Sequence, residues 1–270
     1  MFIDTHCHLD DEKIEDKALA CREMVESGVD IAVNMAVNDK SSLQGLKLSE
    51  RFDGVFFGCG FHPSDCAFYD GKAEDFLIET SKHEKCVAIG EIGLDYHYGK
   101  DDEDVQKKCF VSQLEIARFL NLPVSVHSRD ATEDTLKILK DNKDKINGNI
   151  IIHCFSGSVE TAREYVKLGC YISFSGTLTF KNAVNLRVVA KSLPEDVILA
   201  ETDSPYLSPE PLRGKINRPA NVVKVYEKLA EIRGEELDSL AFNVEKNALS
   251  VFKKIKLFRR LSGKDYKTER

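Results

Sequence analysis

Short continuous apolar runs recur along the chain, and between them apolar residues return at helical spacing. The first run, Phe2-Ile3, leads into Asp4-Thr5-His6-Cys7-His8. Further runs cover residues 31–37, 55–60, 86–90, 123–126, 150–152, 171–174 and 197–200. The intervening segments predict helices. Ile14, Ala18, Cys21 and Val25 mark one within 10–27, with Gly28 as its stop. Others cover 38–51, 73–83 and 182–191, and Val105, Cys109, Ser112, Ile116 and Leu120 form the stripe of another. Asp130 with Glu133 has the spacing of a capping box for a helix through 140, and a helix starts near Ser158. Pro219 opens one over 220–232; Leu237, Leu240, Val244, Ala248, Val251 and Phe252 share a face of the last.

Strands that are apolar throughout, each followed by a helix, imply a parallel sheet covered on its outside. Eight such units in 270 residues match the repeat of a closed barrel, which takes about 250 residues. A doubly wound open sheet is the alternative, and the lack of a glycine-rich dinucleotide fingerprint after the first strand counts against it. The expected fold is therefore α/β, a TIM (β/α)8 barrel with an extra C-terminal helix. It forms one domain over residues 1–252, followed by a basic tail over 253–270.

The polar residues sharpen this picture. His6 and His8 lie two apart on a strand, so they share a face while Cys7 points the other way. Glu91, His127, His153 and Asp203 fall where strands four, five, six and eight end. In a parallel barrel those ends converge on one face, where barrel enzymes place their sites. Clustered carboxylates and imidazoles resist ionising together unless cations join them, so a metal site is the economical reading. Six ligands exceed one tetrahedral centre and suit two ions. Strands eight and one are neighbours, so His6, His8 and Asp203 can share one ion; Glu91, His127 and His153 can share the other, with Glu91 as bridge. Mixed imidazole and carboxylate ligation favours Zn, Mn, Fe or Co over an all-oxygen site, with Mg still usable.

Composition narrows the class further. No apolar run approaches the ~18 residues of a membrane span and no leader precedes Phe2, so a cytoplasmic location without membrane contact is expected. Eight cysteines stand singly with no Cys-x-x-Cys pair, as buried thiols of a reducing compartment do. The net charge of −7 argues against a protein that coats duplex phosphates with lysine. From Lys253 onward, however, eight Lys/Arg stand against two Asp/Glu, a local +6 that leaves −13 elsewhere. A solvated, frayed helix end is expected there, with an accessory nucleic-acid contact as the sharper option.

Six segments together resemble the TatD family of metal-dependent deoxyribonucleases, among the amidohydrolase-like barrel hydrolases. They are Asp4-Thr-His-Cys-His8, Gly60-Phe-His-Pro63, Gly90-Glu-Ile-Gly-Leu-Asp-Tyr96, Val126-His-Ser-Arg129, His153-Cys-Phe-Ser-Gly157 and Glu201-Thr-Asp-Ser-Pro-Tyr-Leu207. The resemblance assigns His6, His8, Glu91, His127, His153 and Asp203 as metal ligands, the set already reached from strand ends. It implies exonuclease action on DNA, in repair or breakdown, with DNA as the partner and no obligate protein partner evident.

The expected mechanism is phosphodiester hydrolysis by water held between two divalent ions, Zn, Mn or Mg. Asp203 orients that water and takes its proton, and Glu91 bridges the ions. His62, in the loop after strand three, is expected to contact phosphate or protonate the leaving oxygen, and Arg129 to fork onto a phosphate. A structural loop histidine and a pairing of Arg129 with a helix carboxylate are the plainer readings. The same chemistry serves another ester or amide, as in a small-molecule amidohydrolase or an aminoacyl-tRNA deacylase. Glu91 standing where such enzymes carry a metal-bound lysine leans towards the nuclease. A non-enzymatic metal-binding scaffold is the more distant rival.

Overall fold

A computed structural model describes residues 1–97, 102–143 and 149–261, the side chains of 259–261 excepted. Eight parallel strands pair in chain order: β1 (Phe2–Cys7), β2 (Val29–Met35), β3 (Val55–Cys59), β4 (Cys86–Asp95), β5 (Val124–Arg129), β6 (Ile150–Ile152), β7 (Cys170–Phe174) and β8 (Ile198–Ala200). The helices on the outside are α1 (Lys17–Glu26), α2 (Asp39–Arg51), α3 (Gly71–Thr80), α4 (Glu103–Leu120), α5 (Thr132–Asp141), α6 (Val159–Lys167), α7 (Val184–Ser192) and α8 (Val222–Arg233). Two more, α9 (Leu237–Val251) and α10 (Lys253–Leu261), complete the α-helices among the described residues. The molecule is thus a nearly closed (β/α)8 barrel.

Local chemistry sets the element ends. Asp16, Asn38, Asp70 and Ser158 each accept a backbone N–H of the helix they precede. Capping by Asp16 starts α1 later than the apolar spacing predicts. The preceding residues form a loop instead, where Asp10 accepts the Ser41 hydroxyl at 2.6 Å and Asp11 that of Tyr206 at 2.6 Å. The capping box at Asp130 does not form. Asp130 takes φ of 52° and its carboxylate faces His97 Nδ1 at 2.9 Å, so Ala131 caps α5 without a side-chain bond.

Strand β4 also differs from its expected end at residue 90, because it continues past Glu91 and pairs through Asp95 with Arg129 of β5. The buried face of α4 explains the extension. Val105 is exposed, while Gln106 and Gln113 are buried and treat the barrel as a further strand would. The Gln106 amide accepts from Asp95 N at 2.9 Å and donates to Asp95 O at 3.0 Å. Gln113 pairs with both backbone groups of Phe61 in the same way, at 2.8 and 3.0 Å.

The barrel has an apolar bottom and a polar top. Ile3, Val33, Phe56, Val87, Ile151 and Leu199 belong to one buried cluster that Val251, Phe252 and Ile255 close from below. This corrects the expectation of a frayed end after 252. Ile255 is fully buried, Phe258 meets Phe56 edge-on at 5.5 Å, and Lys254 donates to the carbonyls of Ser81 and His83. A helix whose apolar side finds a hole to plug stays folded. Residues 262–270 of the expected tail lie outside the described residues.

The barrel closes between β8 and β1, and side chains do much of the closing. Thr5 Oγ1 donates to Ala200 O at 3.1 Å. Lower down, the buried Tyr226 hydroxyl from α8 accepts from Ile3 N at 3.2 Å and donates to Ile3 O at 3.0 Å, serving both backbone groups of that residue. Replacing Tyr226→Phe strips both of their partner, at about 1–3 kcal/mol for each buried group left unpaired. The expected result is a lower denaturant midpoint with an unchanged m-value; a shift within error would show that the seam closes without the hydroxyl.

Candidate metal centre

The closed seam carries His6 and His8 to the top of the barrel beside Asp203. Backbone bonds lock the register: Asp203 N donates to His6 O at 2.9 Å and His8 N to Ser204 O at 2.6 Å. The buried Asp4 carboxylate accepts from Thr202 N at 2.8 Å and Thr202 Oγ1 at 2.6 Å, tying the same two segments together. Cys7, between the histidines, faces outward and packs in the shell beneath the helices.

All six residues expected at the site come together. Glu91 Oε2 lies 3.4 Å from His6 Nε2 and 3.5 Å from His8 Nε2. His8 Nε2 is 3.3 Å from both His6 Nε2 and Asp203 Oδ1, and His6 Nε2 is 4.0 Å from Asp203 Oδ1. Donors bound at about 2.0–2.1 Å in a tetrahedron stand about 3.3 Å apart, so these four atoms are spaced as a metal would hold them. On its other side Glu91 Oε1 is 2.8 Å from His127 Nδ1 and 2.8 Å from His153 Nε2, which are 3.2 Å from each other. His6, His8 and Asp203, and Glu91, His127 and His153, are accordingly two groups able to hold a divalent ion, joined by one carboxylate.

The far ring nitrogens show that the donor set fits a metal. His8 Nδ1 lies 2.8 Å from Met35 O; a carbonyl only accepts, so the proton is on Nδ1 and the Nε2 lone pair faces the centre. His127 Nε2 meets Asp95 Oδ2 at 3.0 Å and His153 Nδ1 meets Glu201 Oε1 at 3.2 Å, with the same consequence. His6 Nδ1 rests on Ser125 Oγ at 3.0 Å. Carboxylates and carbonyls behind metal-facing imidazoles fix ring orientation and raise basicity. Reasoning from the sequence misses Asp95 and Glu201. The early strand end expected at 90 hides Asp95. Glu201 stands directly after a strand, a position that could have flagged it.

Burial opposes charge on Glu91, but the charge of His153 and hydrogen bonds from His127 and His153 outweigh it and hold its carboxyl well below the usual range. Burial likewise works against Asp203, yet the His8 hydrogen bond and neighbouring imidazoles keep it low. For His8, burial is overcome by Asp203 and Glu91, and its pKa is raised to about 9. His6, buried and next to His153, is pushed down.

The two expected substrate contacts stand at the rim. His62 Nδ1 accepts from Ser64 N at 3.1 Å, leaving Nε2 directed 3.7 Å from Glu91 Oε1, and the ring meets His127 edge-on at 4.6 Å. Burial lowers its pKa to about 4 despite Glu91, so the ring is neutral at pH 7. Arg129 is at the exposed end of β5 and lines a cavity of about 490 Å³ that it shares with His153.

A parallel barrel with bridged histidine–carboxylate groups over its C-terminal face defines a metal-dependent hydrolase. Comparison with known proteins narrows this class. Residues 3–253 match the family described as TatD related DNase, and the chain belongs to that family. It is 39% identical over 254 residues to the uncharacterized metal-dependent hydrolase YabD of Bacillus subtilis, spanning 94% of this chain and 99% of that one. The 3′-5′ ssDNA/RNA exonuclease TatD of Escherichia coli is 33% identical over 245 residues, 89% of this chain and 93% of that one. The crystal structure of YJJV, a TatD homologue from Escherichia coli, superposes with a TM-score of 0.86 at 31% identity, covering 93% and 98% of the two chains.

Binding of Zn or Mn is expected to release protons, because His8 and His153 must give up any proton on the inward nitrogen. Calorimetry in buffers of different ionisation enthalpy reads that release, and thermal melting should shift upward with added ion and back with chelator. A melting temperature indifferent to Zn, Mn and chelator would contradict the assignment.

Proposed function

We propose that the protein is a metal-dependent deoxyribonuclease, acting as an exonuclease on DNA phosphodiester bonds and holding two divalent ions, Zn, Mn or Mg. The observation that carries this reading is Glu91, whose two oxygens face separate histidine groups 2.8 Å and 3.4–3.5 Å away. A pair of ions held a few ångströms apart suits in-line displacement at phosphorus. Family membership and the likeness to a named single-strand exonuclease support the substrate class.

His6, His8 and Asp203 would hold one ion and His127 and His153 the other, with Glu91 between them. Bound there, the ions would supply Lewis-acid charge to the phosphate and lower the pKa of water towards neutrality. Asp203, partly exposed at the mouth, orients the attacking water and accepts its proton at a carboxylate oxygen. His62, with Nδ1 occupied by Ser64 N–H, offers Nε2–H to a non-bridging phosphate oxygen. Arg129 approaches the phosphate from the β5 side of the mouth. Asp95 and Glu201 hold the rings of His127 and His153 in place while charge develops.

A cytoplasmic role in DNA repair or breakdown agrees with the free cysteines, and among the described residues no helix is long and apolar enough to cross a membrane. The second reading, hydrolysis of another ester or amide, draws on the relatives named only as metal-dependent hydrolases.

Labelled single- and double-stranded DNA and RNA, incubated with the protein and each divalent ion in turn, decide between them; progressive release of nucleotides from DNA ends is expected. Asp203→Asn should keep the fold and lower that rate by at least about 100-fold. No release from any nucleic acid by the ion-loaded protein would refute the nuclease reading, and full activity in the variant would refute the role of Asp203.

A further inference from the structure

Two buried glutamines of α4 lie on a face of that helix that is otherwise largely apolar. Gln106 is 3% exposed and Gln113 0%, and Cys109, Phe110, Leu114 and Ala117 are buried beside them. Seven residues apart, they stand one above the other across two helical turns. Their amides face a split between neighbouring strands. β3 last pairs with β4 at Cys59 and Ile89, whereas β4 runs on beside β5 to Asp95. Gln113 takes the β3 side of the split, accepting from Phe61 N at 2.8 Å and donating to Phe61 O at 3.0 Å. Gln106 takes the β4 side, accepting from Asp95 N at 2.9 Å and donating to Asp95 O at 3.0 Å. Each amide is steadied from the turn before it: Gln106 Nε2 donates to Asp102 Oδ1 at 3.0 Å and Gln113 Nε2 to Cys109 Sγ at 3.2 Å.

We propose that Gln106 and Gln113 are positioning residues, through which α4 sets the separation of the functional groups on the two sides of the split. Phe61 is followed by His62, and Asp95 Oδ2 meets His127 Nε2 at 3.0 Å, with His127 Nδ1 2.8 Å from Glu91 Oε1. Both pairs of bonds therefore end on one cluster. A ring nitrogen of His62, one of His127 and a carboxylate oxygen of Asp95 lie within 4.8 Å of one another. An amide has the donor and the acceptor of a peptide unit, so it fixes the orientation of a backbone residue as well as its distance. Packing does not call for amides here. An apolar side chain at either position would cover the barrel as Leu114 does, but would leave the N–H and C=O of Phe61 or Asp95 without these partners. Gln106 acts on ion binding, through Asp95 and the His127 ring, because a carboxylate behind such a ring sets its orientation. Gln113 acts on phosphate, through His62. The first consequence rests on the metal centre alone, and the second on the nuclease reading.

The test compares Gln106→Met and Gln113→Met in the full chain; both keep the length of the side chain and lose its two backbone bonds. Calorimetry with Mn should show binding weakened about ten-fold by Gln106→Met, the scale for partners behind metal-facing histidines, and changed less than about two-fold by Gln113→Met. Binding of inorganic phosphate to the Mn-loaded protein, and kcat/KM on single-stranded DNA ends, should instead fall roughly ten-fold in Gln113→Met. Each loss should vanish where its target is already gone. Gln106→Met should add nothing to Asp95→Ala, and Gln113→Met nothing to His62→Ala, whereas general structural damage would add to either. Gln106→Glu and Gln113→Glu keep the test open should the Met variants fail to fold. A protonated acid offers the donor and acceptor of the amide and an ionised one only acceptors, so their deficit relative to wild type should grow as pH rises. Folded Met variants that bind ion and phosphate as wild type does, additive losses in the double variants, or Glu variants whose deficit stays constant between about pH 5 and pH 9 overturn the positioning role. Uncut DNA beside normal ion and phosphate binding in wild type overturns the nuclease reading alone.

Discussion

Everything at the top of this barrel depends on how its last strand meets its first. β8 is only three residues long, and the segment after it is held to β1 by the backbone bonds of Asp203 and His8 and by the buried Asp4 carboxylate, which accepts from Thr202 N and Thr202 Oγ1. That bond fixes Thr202, and with it the backbone of Asp203, against His6. Burial raises the pKa of Asp4 well above the carboxylate range, and the Thr202 hydrogen bonds pull the other way. The seam therefore sets the separation of His8 and Asp203, while Tyr226 serves the same seam from below at Ile3.

The legibility of this site in the sequence depends on what each signal measures. Strand ends are visible because an apolar run stops at a polar residue, and in a parallel barrel those ends share a face. That suffices to bring His6, His8, Glu91, His127, His153 and Asp203 together, and they do stand within bonding reach of their neighbours. The logic fails where a strand is extended by side chains. Gln106 mimics a strand partner for Asp95, a pairing that hydrophobic periodicity cannot register, so periodicity ends β4 too early and overlooks the carboxylate behind His127. The basic segment after 252 misleads for a related reason. Charge dominates its composition, yet its position under the barrel is decided by Ile255 and Phe258, which meet an apolar hole the sequence does not display.

The two ends of the barrel interior do opposite work and need each other. Imidazoles and carboxylates at the top are desolvated, which would favour their neutral forms, yet mutual contacts keep Glu91 and Asp203 ionised. Such a cluster holds its geometry only on a stiff support, because close polar contacts weaken as their partners move apart. The apolar plug of Ile3, Phe56, Leu199, Phe252 and Ile255 provides that support from the other end.

The six inner residues alone would not choose a substrate, since ions held among them would serve phosphate esters, carboxylic esters and amides alike. Choice falls to the loops around the mouth. Here they present a neutral imidazole at His62, a cation at Arg129 and a cavity that Arg129 and His153 line. Neutral and cationic donors are what a phosphate requires, and a net charge of −7 over the chain makes their placement matter more than their number. An acidic surface repels the body of a nucleic acid, so attraction is confined to the mouth, where cations would sit. A polyanion approaching such a surface is best received at its end, where the fewest phosphates face the protein, which agrees with the exonuclease action proposed above.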